Sequence, residues 1–280
     1  MSSRLEFVTL ALAPGANIRA LCRAHGISPK TGYKLLARFK EFGSEGLQDH
    51  SRRPLSSPMR SSAEVEALVV ALHDAYPCWG GYKLAALLPD GMAKPHPNTI
   101  NAILRRHGRQ IAPNADVTEP ANKRFEHEAP NLLWQMDFKG HFPLTDPCAG
   151  RCYPLTVLDD HSRYAVCLTA CSGETGIQVQ TALTQTFRRY GLPARITCDN
   201  GNPWGTPNQD GLTRIEAWLI RLGIRVGHSR PFHPQTQGKD ERFHRTLKRE
   251  LLNRTGFNSL DACQRAFNDW RDQYNLVRPH

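Results

Sequence analysis

Residues 231–252 read PFHPQTQGKDERFHRTLKRELL. A loop marked by Pro231 and Pro234 passes into a helical pattern in which Phe243, Leu247 and Leu251 recur at i, i+4 and i+8 and line one face. At about 100° per residue, Glu241, Arg245 and Lys248 share a second face beside that stripe. One carboxylate therefore stands among cations at the rim of a core. Alone, the pattern describes an amphipathic helix with a surface Glu241–Arg245 pair worth about 0.3 kcal/mol. Two acids upstream change its meaning, because Asp137 lies within the apolar run LLWQMDF and Asp199 closes ARITCDNG. Three carboxylates, each at the edge of a buried element, suit hard cations.

The surroundings of these acids predict a mixed sheet. LLWQMDFKGHF, RCYPLTVLDD and RYAVCLTAC are β-rich runs, the last two separated by a DDHS turn, and together they read as an antiparallel meander. TGIQVQTALTQTFRRYG is a helix stopped by Gly191, PARITCDN a short buried strand, GLTRIEAWLIRLG a helix ending at Gly223, and IRVGHS a fifth strand. The helix bearing Glu241 and a last one, SLDACQRAFNDWRDQYN, complete the set. Asp159 and Asp160 belong to the hairpin turn and are assigned structural hydrogen bonds. His228, His233 and His244 are read as phosphate or backbone contacts, since an oxygen-only shell suits magnesium-like ions.

Ahead of this region the chain is helical and basic. In residues 1–50, NIRALCRAHGI ends at Gly26, where a tight turn needs positive φ, and Ser28-Pro29 signals the next N-terminus. That helix, PKTGYKLLARFKEFG, carries Lys30, Thr31, Tyr33, Lys34 and Arg38, with Leu35, Leu36 and Phe39 for the core. Helix, glycine turn and basic helix resemble a helix-turn-helix, whose second helix enters the major groove. Residues 51–62 form a Ser/Pro/Arg linker in which Arg52 and Arg53 can meet phosphates. A second helical unit, winged-helix-like, spans residues 63–112; its last helix starts near Asn98 and Thr99, buries Ile100, Ile103 and Leu104, and ends on Arg105 and Arg106. Residues 113–130 are a polar connector, and the sheet domain occupies 131–280.

Composition fits this plan. The 280 residues carry a net charge of +10, with an equal excess of 5 before and after residue 130, which predicts an extended surface for a polyanion. No apolar run reaches the roughly 18 residues of a membrane span, so a cytoplasmic protein with no membrane partner is expected. Eight cysteines read as reduced, mostly buried thiols; the C-x-x-x-C pairs at 148/152 and 167/171 make a four-cysteine zinc site conceivable, but the second pair straddles the strand AVCLTAC and orients poorly for chelation.

The order of strands and helices after residue 131 is that of the ribonuclease H-like fold. With WQMDFKGHF, LTVLDDHSRY, ITCDNGNPW and PFHPQTQGKDERFHRTLKREL in sequence, residues 131–280 resemble the catalytic core of DDE transposases of bacterial insertion sequences, a group similar to retroviral integrases. Many relatives also carry paired helix-turn-helix units joined by a stretch like DHSRRP. The resemblance implies a fold of two all-α helix-turn-helix domains before a mixed five-stranded sheet with flanking helices. It places the catalytic, metal-binding triad at Asp137, Asp199 and Glu241. It implies two Mg²⁺ or Mn²⁺ ions, cleavage at transposon ends and transfer of the 3′-hydroxyl into target DNA. Its partners would be double-stranded DNA, both terminal inverted repeats and target, and further copies of the chain in a dimer or larger assembly on the bacterial nucleoid. Lys239, Arg242, Arg245 and Lys248 would approach phosphates. Two features depart from the pattern: 41 residues separate Asp199 from Glu241, more than in close retroviral relatives, and relatives continue past a motif like YNLVRPH. Two alternatives stand beside this reading, a catalytically silent DNA-binding protein derived from a mobile element and a nuclease that cuts without strand transfer.

Overall fold

A computed structural model of the chain describes residues 3–49, 58, 60–109, 126–205, 211–228 and 238–280. Arg52 and Arg53, the loop 231–237 with His233, and most of the connector lie outside the described residues. The chain divides into two compact units, Met1–Arg60 and Ser61–His280.

Among the described residues the first unit holds three α-helices, α1 (Ser3–Ala11), α2 (Ile18–Ala24) and α3 (Pro29–Phe42), and a short 3-10 helix, Gly43–Leu47. Asn17 caps α2 by accepting from Ala20 N, and Ser28 caps α3 by accepting from Thr31 N at 3.2 Å, with Pro29 in the first turn. Between them Gly26 takes φ +63°, the left-handed conformation that the turn demands. Phe7, Val8, Cys22, Leu35, Leu36 and Leu47 close the core.

The second unit begins with α4 (Ala63–Ala75), α5 (Gly81–Leu87) and α6 (Pro97–Arg106), packed on Val69, Trp79, Leu84, Ile100 and Ile103. Gly81 is required where α5 crosses α6, since any Cβ there would strike the Pro97 carbonyl. This module sits on the sheet domain. Cys78 Sγ contacts the Arg249 carbonyl at 3.5 Å, and the buried Glu250 gathers Arg278 at 3.3 Å and Lys83 of α5 at 3.9 Å.

The sheet uses β1 (Trp134–Phe138), β2 (Phe142–Pro143), β3 (Arg151–Asp159), β4 (Ala165–Cys171), β5 (Arg195–Cys198) and β6 (Arg225–His228). Its order is β2-β3-β1-β5-β6 with β4 also on β3; β1, β3 and β4 are antiparallel, while β5 joins β1 and β6 joins β5 in parallel. The five expected strands are present. A sixth, the two-residue β2, is too short to carry any alternation signal.

Helices cover both faces. Trp134, Met136 and Phe138 of β1 point into a core with Val179 and Leu183 of α7 (Gly176–Tyr190) and Ile215 and Leu219 of α8 (Arg214–Arg221). On the other face Cys152, Leu158 and Leu168 meet Phe243 and Leu247 of α9 (Gly238–Leu247) and Phe267 and Trp270 of α10 (Leu260–Asp272). The predicted i, i+4 stripe of α9 is therefore the face that packs, each fully buried side chain gaining about 2 kcal/mol over an exposed one. Because side chains alternate along β1, Gln135 and Asp137 are turned toward the α9 layer. This three-layer arrangement is the ribonuclease H-like architecture.

Candidate active site

Strand register brings the first two acids together. Parallel β1 and β5 pair Gln135 with Thr197, and Asp137 and Asp199 each follow two residues later, so both emerge at the carboxyl ends of neighbouring strands and on the same face. Their closeness has an electrostatic signature. Burial, and then the charge of Asp199, push the Asp137 carboxyl up to about 7, with Glu174 adding to the effect and the Phe138 N–H and Lys139 opposing it. Asp199 is held from several sides: its Oδ1 accepts from Gly201 N at 3.0 Å and from the Trp204 indole. Its carbonyl accepts from His228 Nδ1 at 2.8 Å, and His228 Nε2 lies 2.7 Å from Glu216 Oε1. Glu216 is itself fixed by a capping box with Thr213. Burial disfavours the His228 charge, but the Asp199 carbonyl and the Glu216 carboxylate offset it and hold the imidazole above its ordinary value.

The third acid comes from α9, whose start is clamped to the sheet. Lys239 Nζ donates to the Asp160 carbonyl at 2.6 Å and pairs with Asp160 Oδ1 at 2.8 Å. The fully buried Asp160 carboxylate also accepts from His127 N at 2.9 Å and Gln135 Nε2 at 2.8 Å. One residue on, Asp240 is buried, and its Oδ1 has no hydrogen-bond partner among the described residues. Burial and then the charges of Asp137, Asp160 and Glu241 raise its carboxyl well above the usual range. Glu241 occupies the exposed side of the same turn. Further along α9, His244 Nε2 lies 2.7 Å from Thr156 Oγ1, which donates to the Asp137 carbonyl at 2.9 Å. The Thr156 hydroxyl proton is thereby used, so Nε2 is the protonated nitrogen and Nδ1 faces Asp137 Oδ2 at 3.8 Å with a lone pair. Burial, helped by Lys139, drives the His244 value down to about 3, and the ring is neutral.

Asp137 and Asp199 are thus brought together, and the first turn of α9 approaches Asp137 through the buried Asp240, with Glu241 on its exposed side. Among the described residues no three His, Cys, Asp or Glu side chains are gathered closely enough to hold a metal ion. The donor chemistry nevertheless fits a divalent cation: Asp137, which burial and then the charge of Asp199 make resist ionisation, lies near a buried Asp240 carboxyl, and both would gain from added positive charge. The sequence assigns Asp160 structural hydrogen bonds and His228 a phosphate or backbone contact, and the structure shows such bonds at both; the inward turn of Asp240 and the pairings Lys239–Asp160 and His228–Glu216 went unread. A lysine two residues before Glu241 and a histidine at a strand end were the available signals. The DDHS turn behaves as expected at Asp159, which accepts from Asn131 N at 2.7 Å and Ser162 N at 2.8 Å.

The expected DNA contacts divide. Lys30, Thr31, Tyr33 and Lys34 are exposed along α3 and Arg38 is half-buried. Asn98 and Arg105 are exposed on α6, Thr99 half-buried, and Arg242, Arg245 and Lys248 exposed on and after α9. Two of the expected contacts also have partners within the chain: Arg106 donates to Glu66 Oε1 at 2.5 Å and Lys239 pairs with Asp160, since a buried carboxylate needs a cation.

Comparison with known proteins agrees with the architecture. Residues 127–234 match an integrase core domain model and residues 222–280 a second model of that description. Residues 3–54 match a helix-turn-helix domain and residues 31–104 a homeodomain-like domain. An uncharacterized 39.2 kDa protein of insertion element IS476 from Xanthomonas euvesicatoria is 26% identical over 84% of this chain and 66% of its own length. An uncharacterized 31.7 kDa protein of insertion element IS407 from Burkholderia multivorans is 28% identical over 54% of this chain and 52% of its own. The chain therefore spans about half to two thirds of these relatives. Among solved structures, the HTLV-2 integrase catalytic core domain in complex with magnesium aligns with 54% of this chain and 90% of its own, at 18% identity and a TM-score of 0.39.

Proposed function

We propose, from the match of residues 127–234 and 222–280 to integrase core domain models behind a matched helix-turn-helix domain, that the chain is a DNA transposase. It cleaves strands at the ends of its element and joins the freed 3′-hydroxyl to target DNA. The observation that carries this reading is the β1–β5 register, which sets Asp137 and Asp199 side by side against the start of α9.

Asp137, Asp199 and Glu241 would hold two Mg²⁺ or Mn²⁺ ions, with Glu241 turning in from the exposed side of its turn. When bound, such ions activate water or a 3′-hydroxyl and stabilise the departing oxygen. The chain's own residues supply the geometry. His228 and Glu216 fix the backbone at Asp199, Thr156 and His244 fix it at Asp137, and the Lys239–Asp160 clamp fixes the helix that delivers Glu241. Lys30, Thr31, Tyr33 and Lys34 of α3, with Asn98 and Arg105 of α6, read the duplex, while Arg242, Arg245 and Lys248 neutralise phosphates near the carboxylates. Joining two element ends requires at least a dimer on DNA. Among the described residues no helix is long and apolar enough to cross a membrane, and the site of action is the bacterial nucleoid.

The exposure of Glu241 supports a second reading, a protein that binds element ends without cutting them. Oligonucleotide duplexes copied from the DNA flanking the gene decide between the two. The transposase reading expects nicking and joining in Mg²⁺ that Asp199→Asn and Glu241→Gln abolish, with gel-shift affinity retained. Binding by the unaltered chain with no cleavage in Mg²⁺ or Mn²⁺ supports the silent protein.

A further inference from the structure

Beside the carboxylates, the turn between β1 and β2 and the segment after α9 enclose a cleft of about 330 Å³. That is near the lower end of the roughly 300–1,000 Å³ range of small-ligand sites, too small for a duplex. Its rim carries Lys139, Lys248 and the exposed His141, and its floor is apolar, formed by Phe142, Leu252 and Phe257. The walls are fixed before any ligand arrives. Lys139 N donates to the Pro154 carbonyl at 2.9 Å, Thr145 N donates to the Phe257 carbonyl at 2.8 Å, and Gly140 turns the chain at φ +80°. Aromatic rings back it, with His141 against Tyr153 at 5.1 Å and Phe142 against Phe257 at 5.9 Å between centroids.

Cations around an apolar, aromatic-backed floor recognise a planar ring attached to phosphate. Lys139 follows Asp137 by two residues and Lys248 lies on the helical turn continuing from α9, so the cleft borders the acids that would hold the scissile phosphate. We propose that this cleft takes one unstacked nucleotide of the DNA strand next to the cleavage position, its base on the Phe142–Phe257 floor and its phosphate between Lys139 and Lys248. The inference rests on the DNA-recombination reading and adds to it a pocket for a single extruded base. Splaying one nucleotide would fix the strand's register at the carboxylates, at a cost in stacking that the floor contacts offset.

The test uses the full chain and a duplex with a single-stranded overhang carrying 5-iodo-2′-deoxyuridine at successive positions. Irradiation is done in EDTA so that cleavage does not compete, and cross-linked peptides are mapped by mass spectrometry. The expected result is cross-linking of one or two overhang positions to the peptide containing His141 and Phe142 or to that containing Phe257. Thr255→Trp fills the cleft from an exposed wall position and should lower that yield at least about tenfold, the equivalent of one lost base-stacking contact, while duplex affinity changes less than about threefold. His141→Ala, which leaves the backbone bonds of the walls alone, should redirect cross-links to Phe142 or Phe257. Cross-links confined to other peptides, or pocket cross-links unaffected by Thr255→Trp, overturn the proposal. So does their loss to excess thymidine monophosphate while the DNA stays bound, which assigns the cleft to a free mononucleotide. Failure to form any DNA complex overturns this inference together with the reading beneath it, whereas a complex lacking pocket cross-links overturns this inference alone.

Discussion

His228 donates from Nδ1 to the carbonyl of Asp199 at 2.8 Å, and its other nitrogen lies 2.7 Å from Glu216. The end of β5 is thereby tied to β6 and α8 through one imidazole ring. His228 has its folded value above 6.5, so its contribution is complete below that value and is lost as pH rises through the higher folded one. Glu216 has its folded value below 4.5, so its contribution is complete above that value and is lost as pH falls through the lower folded one. His228→Asn should therefore depress the melting temperature most between the two ordinary values and least in alkali. Thermal unfolding across pH measures this, and a deficit that grows above neutrality contradicts it.

Asp160 is fully buried and Lys239 is its counter-charge. Lys239→Met should cost about 3–5 kcal/mol by stranding that carboxylate, and adding Asp160→Asn should recover much of the loss. Denaturant melts read both. If Lys239→Met is instead neutral for stability and weakens DNA binding, the lysine belongs to the interface.

The two acids at the start of α9 should separate in their effects. Asp240 carries a raised folded value, so the stability linked to its proton is present in acid and lost as pH rises. Asp240→Asn should consequently stabilise the metal-free chain at pH 8, by roughly 1–3 kcal/mol, with the gain shrinking toward pH 4. It should also leave cleavage active, whereas Glu241→Gln removes cleavage with little change in stability. The reverse pattern would make the inward carboxyl the functional one.

On α6, adjacent arginines are predicted to behave differently. Arg105→Ala should reduce the salt dependence of DNA binding by about one unit without altering the melt. Arg106→Ala removes a counter-charge that pairs with the buried Glu66 and should cost about 2–4 kcal/mol. Equal effects of the two on the salt slope would return Arg106 to the DNA surface.

The sequence was most legible where a local pattern dictates structure. Alternation in WQMDF and the run ending at Asp199 located two strands and the acids at their ends, and the i, i+4 stripe of α9 gave the packing face of Phe243 and Leu247. Gly26, Ser28 and Pro29 marked the helix-turn-helix because turn and cap chemistry are set by single residues. What escaped depends on pairing between distant segments. Nothing local shows that Lys239 reaches Asp160, that Arg106 reaches Glu66, or that Lys83 meets Glu250 and seats the second helical module on the sheet domain. The inward turn of Asp240 escaped for a related reason: adjacent residues on a helix differ by about 100°, so the clamp on Lys239, and not the motif, decides which acid faces the sheet.

We propose that Asp137 and Asp199 form a divalent-cation site completed from α9. Calorimetric titration of the full chain with Mn²⁺ tests it most directly, with no DNA and no turnover. Binding should be measurable in the unaltered chain and should weaken at least about tenfold in Asp137→Asn, in Asp199→Asn and in Glu241→Gln, with Asp240→Asn close to the unaltered chain. An unchanged Mn²⁺ affinity in Asp137→Asn and Asp199→Asn would contradict the account.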